Sequence, residues 1–572
     1  MIDDVYEPLA RYRDEFKAKF DALAKEKFAE LTVRSGVDVE RLREIAGKVH
    51  GMERRASSLA RRAGWVMFFM VLLAGAAAAA GWFAYDFHQR GDERYIALAL
   101  AGAGALLATI LLISPYRKLR REVGELENSI VENKGVCREM MEPLNRLYTW
   151  DMPVKLIEQT VPRLQFDAFF TAARLEDLKR LFGWDDSFNE GKSILFAQSG
   201  VINGNPFAIG EYLEMEWGEK TYYGHKRISW TEYETDSKGH RRAVHRSETL
   251  TASVTKPMPE YFTGKVLVYG NDAAPNLSFT REPSGLTEGA FAALRKWHKR
   301  RELEKFSRNL TDSSNYTMMA NKEFETLFAT KDRDNEVEFR LLFTPLAQRQ
   351  MLELVKDRTV GFGDDFAMTK HRKINIVRAE HLDGFTLDTD PAQFWDWDYD
   401  AAWMYFYTFN AGYFKHVYFA FAPLLAIPLY QQTRTHEEIW KGVLPTAPAA
   451  FWEHEATANY HGEDDFKHPQ CITRSILKTR VVARDEATGT SEVAVTAQGY
   501  KGVKRIETKS VRGGDGKWHN VDVEWIEYLP VERTSAMMVA EGVEPEARDG
   551  AKELRAVLRR SIYSYLAAGR EL

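Results

Sequence analysis

Two long stretches without a charged residue constrain this chain more than any other feature of its sequence. The first runs from Trp65 to Phe83 and the second from Tyr95 to Ile113, and each is nineteen residues long. At about 1.5 Å per residue, such a helix reaches roughly 28 Å, close to the hydrocarbon core of a bilayer at about 30 Å. Lipid offers the backbone no hydrogen-bond partner, so each stretch must be helical there. The pattern predicts a transmembrane helical hairpin over residues 65–113.

Aromatic residues stand at the ends of these stretches, where amphipathic rings prefer the membrane interface. They are Trp65, Trp82 and Tyr95. A buried helix pair in a soluble protein is disfavoured by the length of the stretches. A cleavable signal peptide is disfavoured because roughly 60 residues precede the first one.

Basic residues flank the hairpin on both sides. They are Arg54, Arg55, Arg61 and Arg62 before it, and Arg117, Lys118, Arg120 and Arg121 after it. The connection from Ala84 to Arg94 has a mixed charge instead. Because basic residues resist translocation, we expect both termini in the cytosol and the short connection across the membrane.

Small residues are dense in both stretches and allow helices to approach closely, either within the hairpin or between protomers. They are Gly75, Ala76 to Ala80 and Gly81 in the first, and Ala101, Gly102, Ala103, Gly104 and Ala105 in the second.

Apolar residues at alternating spacings of three and four flank the hairpin. They are Leu42, Ile45, Val49, Met52, Ala56 and Leu59 before it, and Leu119, Val123, Leu126 and Ile130 after it. This is the spacing of a heptad repeat, and Asp38 is placed to cap the first helix. We expect the two helices to pair as an antiparallel coiled-coil stalk. A separate stripe (Leu9, Tyr12, Phe16, Phe20, Leu23) predicts an amphipathic helix ending near Ser35, which either docks on the soluble part or lies on the membrane.

The composition of the whole chain indicates a folded protein and excludes some classes of function. Hydrophobic residues make up 45% and charged residues 28% of the 572, the balance of a folded protein. A net charge of -5 gives no reason to expect a nucleic-acid groove, which needs a concentrated positive field. Two cysteines cannot build a disulfide framework. The predicted segments are N-terminal helices (1–64), hairpin (65–113), returning stalk (114–150), an α+β domain (151–392) and a β-rich domain (393–572).

Residues 151–392 alternate between helical and strand patterns, which predicts an α+β fold with mainly antiparallel sheet. Asn203-Gly204 and Asp236 to Gly239 are hairpin turn sequences. Short strands are expected at Gly264–Gly270 and Lys373–Val377. Helices are expected at Leu156–Leu181, Leu286–Phe306 and Phe339–Val355.

The segment EFETLFATKDRDNEVEFRLLFTPLAQRQMLEL, Glu323 to Leu354, resembles the core signature of a bacterial family known only as domain of unknown function 3137. The resemblance extends over about residues 150 to 390. It implies a Glu-Phe-x-x-x-Phe strand, an acidic stretch and a helix opened by Pro345. It also implies a coiled coil and two membrane spans before the domain, in a bacterial inner membrane. It implies no activity, substrate or catalytic residue.

The C-terminal portion begins with an aromatic-rich stretch followed by VYFAFAPLLAIPLY, which is too short for a span. It predicts a buried strand or an interfacial segment, with a re-entrant membrane segment as the less favoured alternative. Residues 475–530 alternate in four runs, which predicts an antiparallel meander of four strands. A last helix is expected from Pro545 to Leu566.

The best candidate for a metal site is His454, His461, His468 and Cys471. Four ligand-type side chains could close a tetrahedral zinc site, but only His468-x-x-Cys471 has a usable spacing. Ordinary histidines of a polar loop are the favoured interpretation. The segment from Gly361 to Asp365 is similar to the Gly-x-Gly-Asp motif of intramembrane aspartyl proteases, although a turn is the favoured interpretation there.

Other chemistry has little support. Cys137 has no evident histidine partner in the sequence, and no phosphate-binding glycine loop is present. We expect no cofactor. The leading hypothesis is a non-enzymatic, membrane-anchored binding or scaffold module, with the lipid bilayer and another protein as partners and no nucleic acid. The alternatives are a metal-dependent hydrolase near His454–Cys471, and a self-associating, homo-oligomeric membrane assembly.

Overall fold

The computed structural model describes residues 5–90, 92–235, 241–286, 318–434, 447–542 and 556–571. The chain forms two compact units. The helical unit comprises Ala24–Thr149 and Asp390–Asn410, and the mixed unit comprises Met1–Leu23, Trp150–Thr389 and Ala411–Leu572. The predicted boundary after residue 392 lies close to the point at which the chain returns to the helical unit.

Helices occur throughout the described part of the chain. Within the described residues they are α1 (Pro8–Arg11), α2 (Lys17–Ser35), α3 (Val39–Gln89), α4 (Arg94–Asn145), α5 (Met152–Thr160), α6 (Ala172–Phe182), α7 (Lys322–Phe328), α8 (Glu336–Leu342), α9 (Pro345–Lys356), α10 (Glu380–Asp383), α11 (Tyr399–Leu425), α12 (Pro428–Gln432), α13 (Phe451–His461) and α14 (Glu463–Phe466). A π-helical stretch at Tyr12–Phe16 joins α1 to α2. Short 3₁₀ turns lie at Asp186–Asn189 and Pro391–Phe394.

The strands form two antiparallel sheets within the described ranges. They are β1 (Leu164–Phe166), β2 (Lys192–Ile202), β3 (Asn205–Thr235), β4 (Arg241–Gly270), β5 (Ser278–Arg281), β6 (Phe366–His371), β7 (Ile374–Ala379), β8 (Ile476–Asp485), β9 (Thr490–Arg512), β10 (Trp518–Glu541), β11 (Ala556–Arg559) and β12 (Ile562–Glu571). The first sheet has the order β1-β2-β3-β4-β7-β6-β5, and the second has the order β11-β12-β10-β9-β8. The predicted mixture of helix and antiparallel sheet is confirmed.

Helices α3 and α4 form a long antiparallel hairpin. Asp38 caps α3 as expected, because its carboxylate accepts a hydrogen bond from the Arg41 backbone N–H at 3.0 Å. Across the hairpin, Lys134 Nζ lies 2.7 Å from a Glu53 carboxylate oxygen. Nearer the connection, the Tyr116 hydroxyl donates to Met67 Sδ at 3.7 Å. These contacts fix one register along the pair.

Residues of the hairpin that are shielded from solvent recur every three or four positions in both helices. Between residues 63 and 84 of α3 they are Ala63, Val66, Met70, Leu73, Ala77, Ala80 and Ala84. The partly or fully shielded residues of α4 include Tyr95, Leu98, Gly102, Ala105, Thr109, Leu112, Tyr116, Leu119, Val123, Leu126 and Ile130. The shielded face therefore follows one seven-residue repeat through the apolar stretches and the flanking stalk.

The apolar stretches of the hairpin turn most of their surface outward. Within the described residues, α3 and α4 are the helices long and apolar enough to cross a membrane, and only 6% of the most apolar window of each is buried. The two helices approach closely at Gly102, where an added Cβ would lie 3.3 Å from the Ala80 Cβ. Gly75, Gly81 and Gly104 face open space instead. Some small residues thus lie at the contact between the two helices, and others lie on the outer surface of the hairpin.

Two very long β-hairpins, which we call the arms, project from the two sheets. One arm is the distal part of β3 and β4, paired out to Thr235 and Arg241. The other is the distal part of β9 and β10, paired out to Arg512 and Trp518. A two-stranded hairpin alone is marginal in water. The arms pack face to face, and the shielded residues between them are Ile228, Leu250, Ala252, Val254, Val521 and Val523.

Helix α13 lies between the two sheets of the mixed unit. On one side Trp452 and Ala456 join the core of the first sheet. On the other, Ala458 joins the core of the second sheet with residues such as Leu477 and Val493. Gly210 in β3 admits this packing, because a Cβ there would lie 2.7 Å from the Trp452 ring.

Several local predictions are confirmed. The turn at Asn203-Gly204 connects β2 to β3, with both residues at positive φ. The helix at Pro345 begins as expected, with Thr344 as its cap. The N-terminal stripe forms α1, α2 and the π-helical stretch between them. Its docking alternative is supported, since Phe20 stacks on Phe414 with ring centroids 4.6 Å apart.

Other local predictions are wrong. Leu156–Leu181 is interrupted by β1 and forms α5 and α6, and the predicted strand near Glu323 is the helix α7, capped by Asn321. The segment VYFAFAPLLAIPLY is the buried end of α11 together with α12. The four-strand meander has three strands, because its second and third runs form the single strand β9. The predicted C-terminal helix is wrong from residue 556 onward, because the chain forms β11 and β12 there. The predicted turn at Asp236 to Gly239 lies outside the described residues, and so does the predicted helix Leu286–Phe306 apart from Leu286.

Candidate functional site

An open cleft of about 540 Å³ lies in the helical unit, where the end of α4 faces the segment before α11. Its lining combines two indole rings with charges of both signs. The lining residues are Arg138, Glu139, Glu142, Asn145, Arg146, Trp395, Asp396 and Trp397. The volume lies within the roughly 300–1,000 Å³ that is usual for ligand sites.

Local hydrogen bonds hold the segment before α11 in place. The Asp396 carboxylate accepts from the Asp398 N–H at 2.9 Å, and Asp398 accepts from the Asp400 N–H at 2.9 Å. The Asn145 amide also donates to the Asp396 carbonyl at 3.2 Å. Phe394 is buried and contacts Tyr148, with ring centroids 5.4 Å apart. One wall of the cleft is therefore rigid without help from a ligand.

This segment repeats a unit of one aromatic residue followed by one aspartate. The units are Trp395-Asp396, Trp397-Asp398 and Tyr399-Asp400. Aromatic faces and carboxylates both attract cations, the first through the ring quadrupole and the second through charge. The stalk supplies cations to the second and third units.

His50 and Lys134 occupy the second unit. A His50 ring nitrogen lies 2.8 Å from Asp398 Oδ2, and the Lys134 ammonium lies 4.9 Å from the centre of the Trp397 ring. The hydrogen bond to Asp398 raises the pKa of His50 above its usual value, with a smaller contribution from Glu53 and against the effect of desolvation. A protonated imidazole is thereby favoured at this position.

Arg43 occupies the third unit. Its guanidinium lies 2.8 Å from an Asp400 carboxylate oxygen and 5.4 Å from the centre of the Tyr399 ring. The hydrogen bond to Asp400 raises the pKa of Arg43 above its usual value. The Arg43 guanidinium thus contacts an aromatic ring and a carboxylate at the same time.

The first unit faces the cleft without such a cation. The Trp395 side chain is about half exposed (51%), and within the described part of the chain no cation lies over its ring. Glu139 and Arg138 line the same cleft, and among the described residues neither forms an ion pair. Glu142, by contrast, pairs with Arg146 at 2.5 Å. The cleft therefore presents an open indole, two carboxylates without ionic partners and one guanidinium.

The four metal-ligand candidates lie in separate environments. His461 hydrogen-bonds to the Ser564 hydroxyl at 2.8 Å, and His468 accepts from the Gln470 N–H. Cys471 lies near the Thr473 and Ser475 hydroxyls. Among the described residues no group of three or more His, Cys, Asp or Glu side chains is arranged to hold a metal ion. This geometry does not support the alternative of a metal-dependent hydrolase.

His454 belongs to a buried charged row on α13. Both of its ring nitrogens are buried and form no hydrogen bond with the described residues, and Nε2 lies 3.9 Å from a Glu541 carboxylate oxygen. Its neighbour Glu453 is fully buried between Arg559 and Arg560, at 2.9 and 3.0 Å. Burial explains why these groups pair with one another. We therefore assign a structural role to His454 and Glu453.

The Gly361–Asp365 segment lies in a loop, as expected, with Gly363 at a φ of 78°. Its two aspartates have separate structural partners. Asp364 is buried against Arg281, and Asp365 hydrogen-bonds to His381 Nδ1. The other His381 nitrogen contacts the His416 carbonyl at 3.1 Å, so it is engaged as well. The two carboxylates therefore do not share a site of the protease kind.

The remaining predicted residues lie along the hairpin. Trp65 and Trp82 are 64% and 73% exposed, and the Tyr95 ring lies 4.8 Å from His88. The eight orientation-setting basic residues are all exposed: Arg54, Arg55, Arg61, Arg62, Arg117, Lys118, Arg120 and Arg121. Cys137 is buried in the stalk, where desolvation raises the pKa of its thiol, so the geometry does not favour a nucleophile.

Sequence reasoning missed the cleft, although one signal was present. The aromatic-rich stretch alternates ring and aspartate, a pattern that favours cation contacts. The second wall of the cleft comes from Arg138 to Arg146, some 250 residues earlier in the chain, and no local pattern joins the two segments.

No family model, no curated protein and no solved structure matches this chain.

Proposed function

We propose that this protein is a membrane-anchored binding module. One observation carries the proposal: α3 and α4 expose two apolar stretches that are each long enough to cross a bilayer. A water-soluble protein rarely exposes apolar patches larger than a few hundred Å² without a partner surface. The outward residues include Phe68, Phe69, Leu72, Leu106 and Leu107. Lipid is the partner that suits such a surface on all sides of a helical pair.

The anchor extends into a stalk in this proposal. The shielded residues of α3 and α4 follow a seven-residue repeat, which is the pattern of a left-handed coiled coil. From Arg62 to Asp38 the stalk is about 36 Å long at 1.5 Å per residue. The proposal puts both termini in the cytosol, at a bacterial inner membrane, and the exposed arginines on both helices support this orientation because basic residues resist translocation. The kinship with domain of unknown function 3137 is part of the same proposal.

Binding is proposed in preference to catalysis because the open cleft holds ring faces and charges rather than an activated nucleophile or base. The net charge of -5 favours a protein partner over a nucleic acid. Self-association is the second candidate, favoured by the outward-facing Gly75, Gly81 and Gly104.

Topology is tested by cysteine accessibility in intact cells. We expect Asp92→Cys, in the connection between α3 and α4, to react with a membrane-impermeant maleimide added from outside. Val131→Cys, exposed on the stalk, should react only after lysis, as the matched control. The protein should also stay in the membrane pellet after an alkaline carbonate wash. Labelling of Val131→Cys in intact cells would contradict the cytosolic placement of the stalk.

The partner half of the proposal is tested by cross-linking in native membranes, followed by purification of the full-length protein. We expect a second protein in the cross-linked product, and its absence in a Trp395→Leu variant. A product that contains only copies of this chain would exclude a hetero-partner and support self-association.

A further inference from the structure

The three aromatic–aspartate units before and at the start of α11 differ in what they hold. The second and third units hold cations from the stalk, namely His50 with Lys134, and Arg43. The first unit, Trp395-Asp396, opens into the cleft and holds none among the described residues. All three units combine an aromatic ring with a carboxylate, and two of them bind cationic side chains of this chain. The same chemistry predicts that the first unit binds a cation as well.

We propose that the cleft binds an arginine side chain of a partner protein, with the guanidinium stacked on Trp395 and paired with the carboxylates of Glu139 and Asp396. This inference rests on the proposed binding function and specifies its ligand. Arg43 provides the precedent in the same segment, since its guanidinium contacts both the Asp400 carboxylate and the Tyr399 ring.

The charges of the cleft support a cation as occupant. Arg146 is already neutralised by Glu142 at 2.5 Å. Among the described residues that line the cleft, the charges without an ionic partner are those of Glu139 and Asp396, which are negative, and Arg138, which is positive. An incoming cation thus completes the charge balance of the cleft, whereas an anion would meet two uncompensated carboxylates.

The shape of the site favours guanidinium over other cations. Guanidinium is planar, so it can stack on an indole and donate two parallel hydrogen bonds to a carboxylate at its edge. An ammonium group is a compact, strongly hydrated point charge, and a quaternary ammonium such as choline donates no hydrogen bond. Arginine therefore uses both the ring and the carboxylates of the cleft.

The test uses the full-length protein in detergent and a short probe, acetyl-Gly-Arg-Gly-amide, with binding followed by saturation-transfer NMR. The matched probe carries citrulline, which keeps the planar shape and loses the charge. We expect binding of the arginine probe, and a weakening of about tenfold or more with citrulline or with a Trp395→Leu protein. Glu139→Gln should weaken the arginine probe as well. Trp518→Leu, at an exposed tryptophan of an arm, is the control and should bind like the parent.

Three outcomes would overturn the inference: equal binding of the citrulline probe, no effect of Trp395→Leu, or tighter binding of choline chloride than of the arginine probe. The last would indicate a lipid headgroup instead. These results are independent of the labelling of Asp92→Cys, so failure of the ligand assignment can be told apart from failure of the membrane anchor.

Discussion

Replacing Glu453 by Gln is expected to lower the free energy of unfolding by about 3–5 kcal/mol, because it leaves buried charges without their counterion. Glu453 is fully buried on α13 and contacts the guanidinium groups of Arg559 and Arg560 at 2.9 and 3.0 Å. It also accepts a hydrogen bond from the Phe170 N–H at 2.9 Å. One carboxylate thus neutralises two arginines and satisfies one backbone donor.

The arginines cannot escape their burial when the carboxylate is lost. Desolvation lowers the pKa of Arg560 below its usual value, and Glu453 is the main group that opposes this effect. An amide at position 453 retains a hydrogen-bond acceptor but no charge. The structure must then either open toward β11 or keep two guanidinium groups uncompensated, and both cost stability.

Urea unfolding of the full-length protein in detergent, followed by circular dichroism, measures the effect. Glu527→Gln is the matched control, since Glu527 pairs with Arg505 at 2.8 Å on the exposed surface of an arm. Exposed pairs contribute about 0–1 kcal/mol, so the control should unfold almost like the parent. A second change, Arg560→Met in the Glu453→Gln background, should recover part of the loss. Equal stability of the Glu453→Gln and Glu527→Gln proteins would contradict this account of the buried cluster.

How far the fold follows from the sequence depends on whether a signal is local. The heptad spacing of Leu42, Val49 and Ala56 is local, and these residues are buried along the hairpin as the spacing predicts. The cap at Asp38 and the turn at Asn203-Gly204 are local too. Each needs only a few neighbouring residues to form its hydrogen bonds.

A glycine inside a strand pattern marks either a turn or a close approach from elsewhere in the chain. Gly502 lies between the second and third predicted strand runs, EVAVTAQGYK and KRIETKSVR. The strand continues through it, since a Cβ at Gly502 would lie 2.5 Å from the Ile472 side chain. Gly264 in β4 likewise lies against the Tyr212 ring. A close approach from a distant segment and a turn require the same residue, and only tertiary structure distinguishes them.

The C-terminal segment shows the same limit for helical periodicity. Val557, Leu558 and Ile562 have helical spacing, yet Ala556–Arg559 and Ile562–Glu571 are strands. β12 pairs with the far end of β10, from Ser535 to Glu541, and that edge supplies the backbone hydrogen bonds. The arginine pair that holds Glu453 comes with these strands. The buried cluster was therefore as inaccessible to sequence reasoning as the cleft beside Trp395.

The largest effect on the anchor is expected from placing arginine at Leu72 and Leu107 together. Both leucines are exposed, at 51% and 60%, near the middle of their apolar stretches. In a bilayer, arginine at the centre of a helix costs about 2.5–3.5 kcal/mol, so the pair opposes insertion by roughly 5–7 kcal/mol. We expect the doubly substituted protein to leave the carbonate-washed membrane fraction or to be degraded.

The same substitution distinguishes lipid from water around the hairpin. On a helix that faces water, an exposed leucine changed to arginine alters stability by about 0.5 kcal/mol or less. Val131→Arg provides the control, because Val131 is 67% exposed on α4 beyond the apolar stretch and is expected in the cytosol. We expect Val131→Arg to leave the membrane fraction unchanged while Leu72→Arg with Leu107→Arg depletes it. Retention of both variants at the parental level would place the apolar surface of the hairpin against protein or water, and the hairpin would then no longer be a membrane anchor.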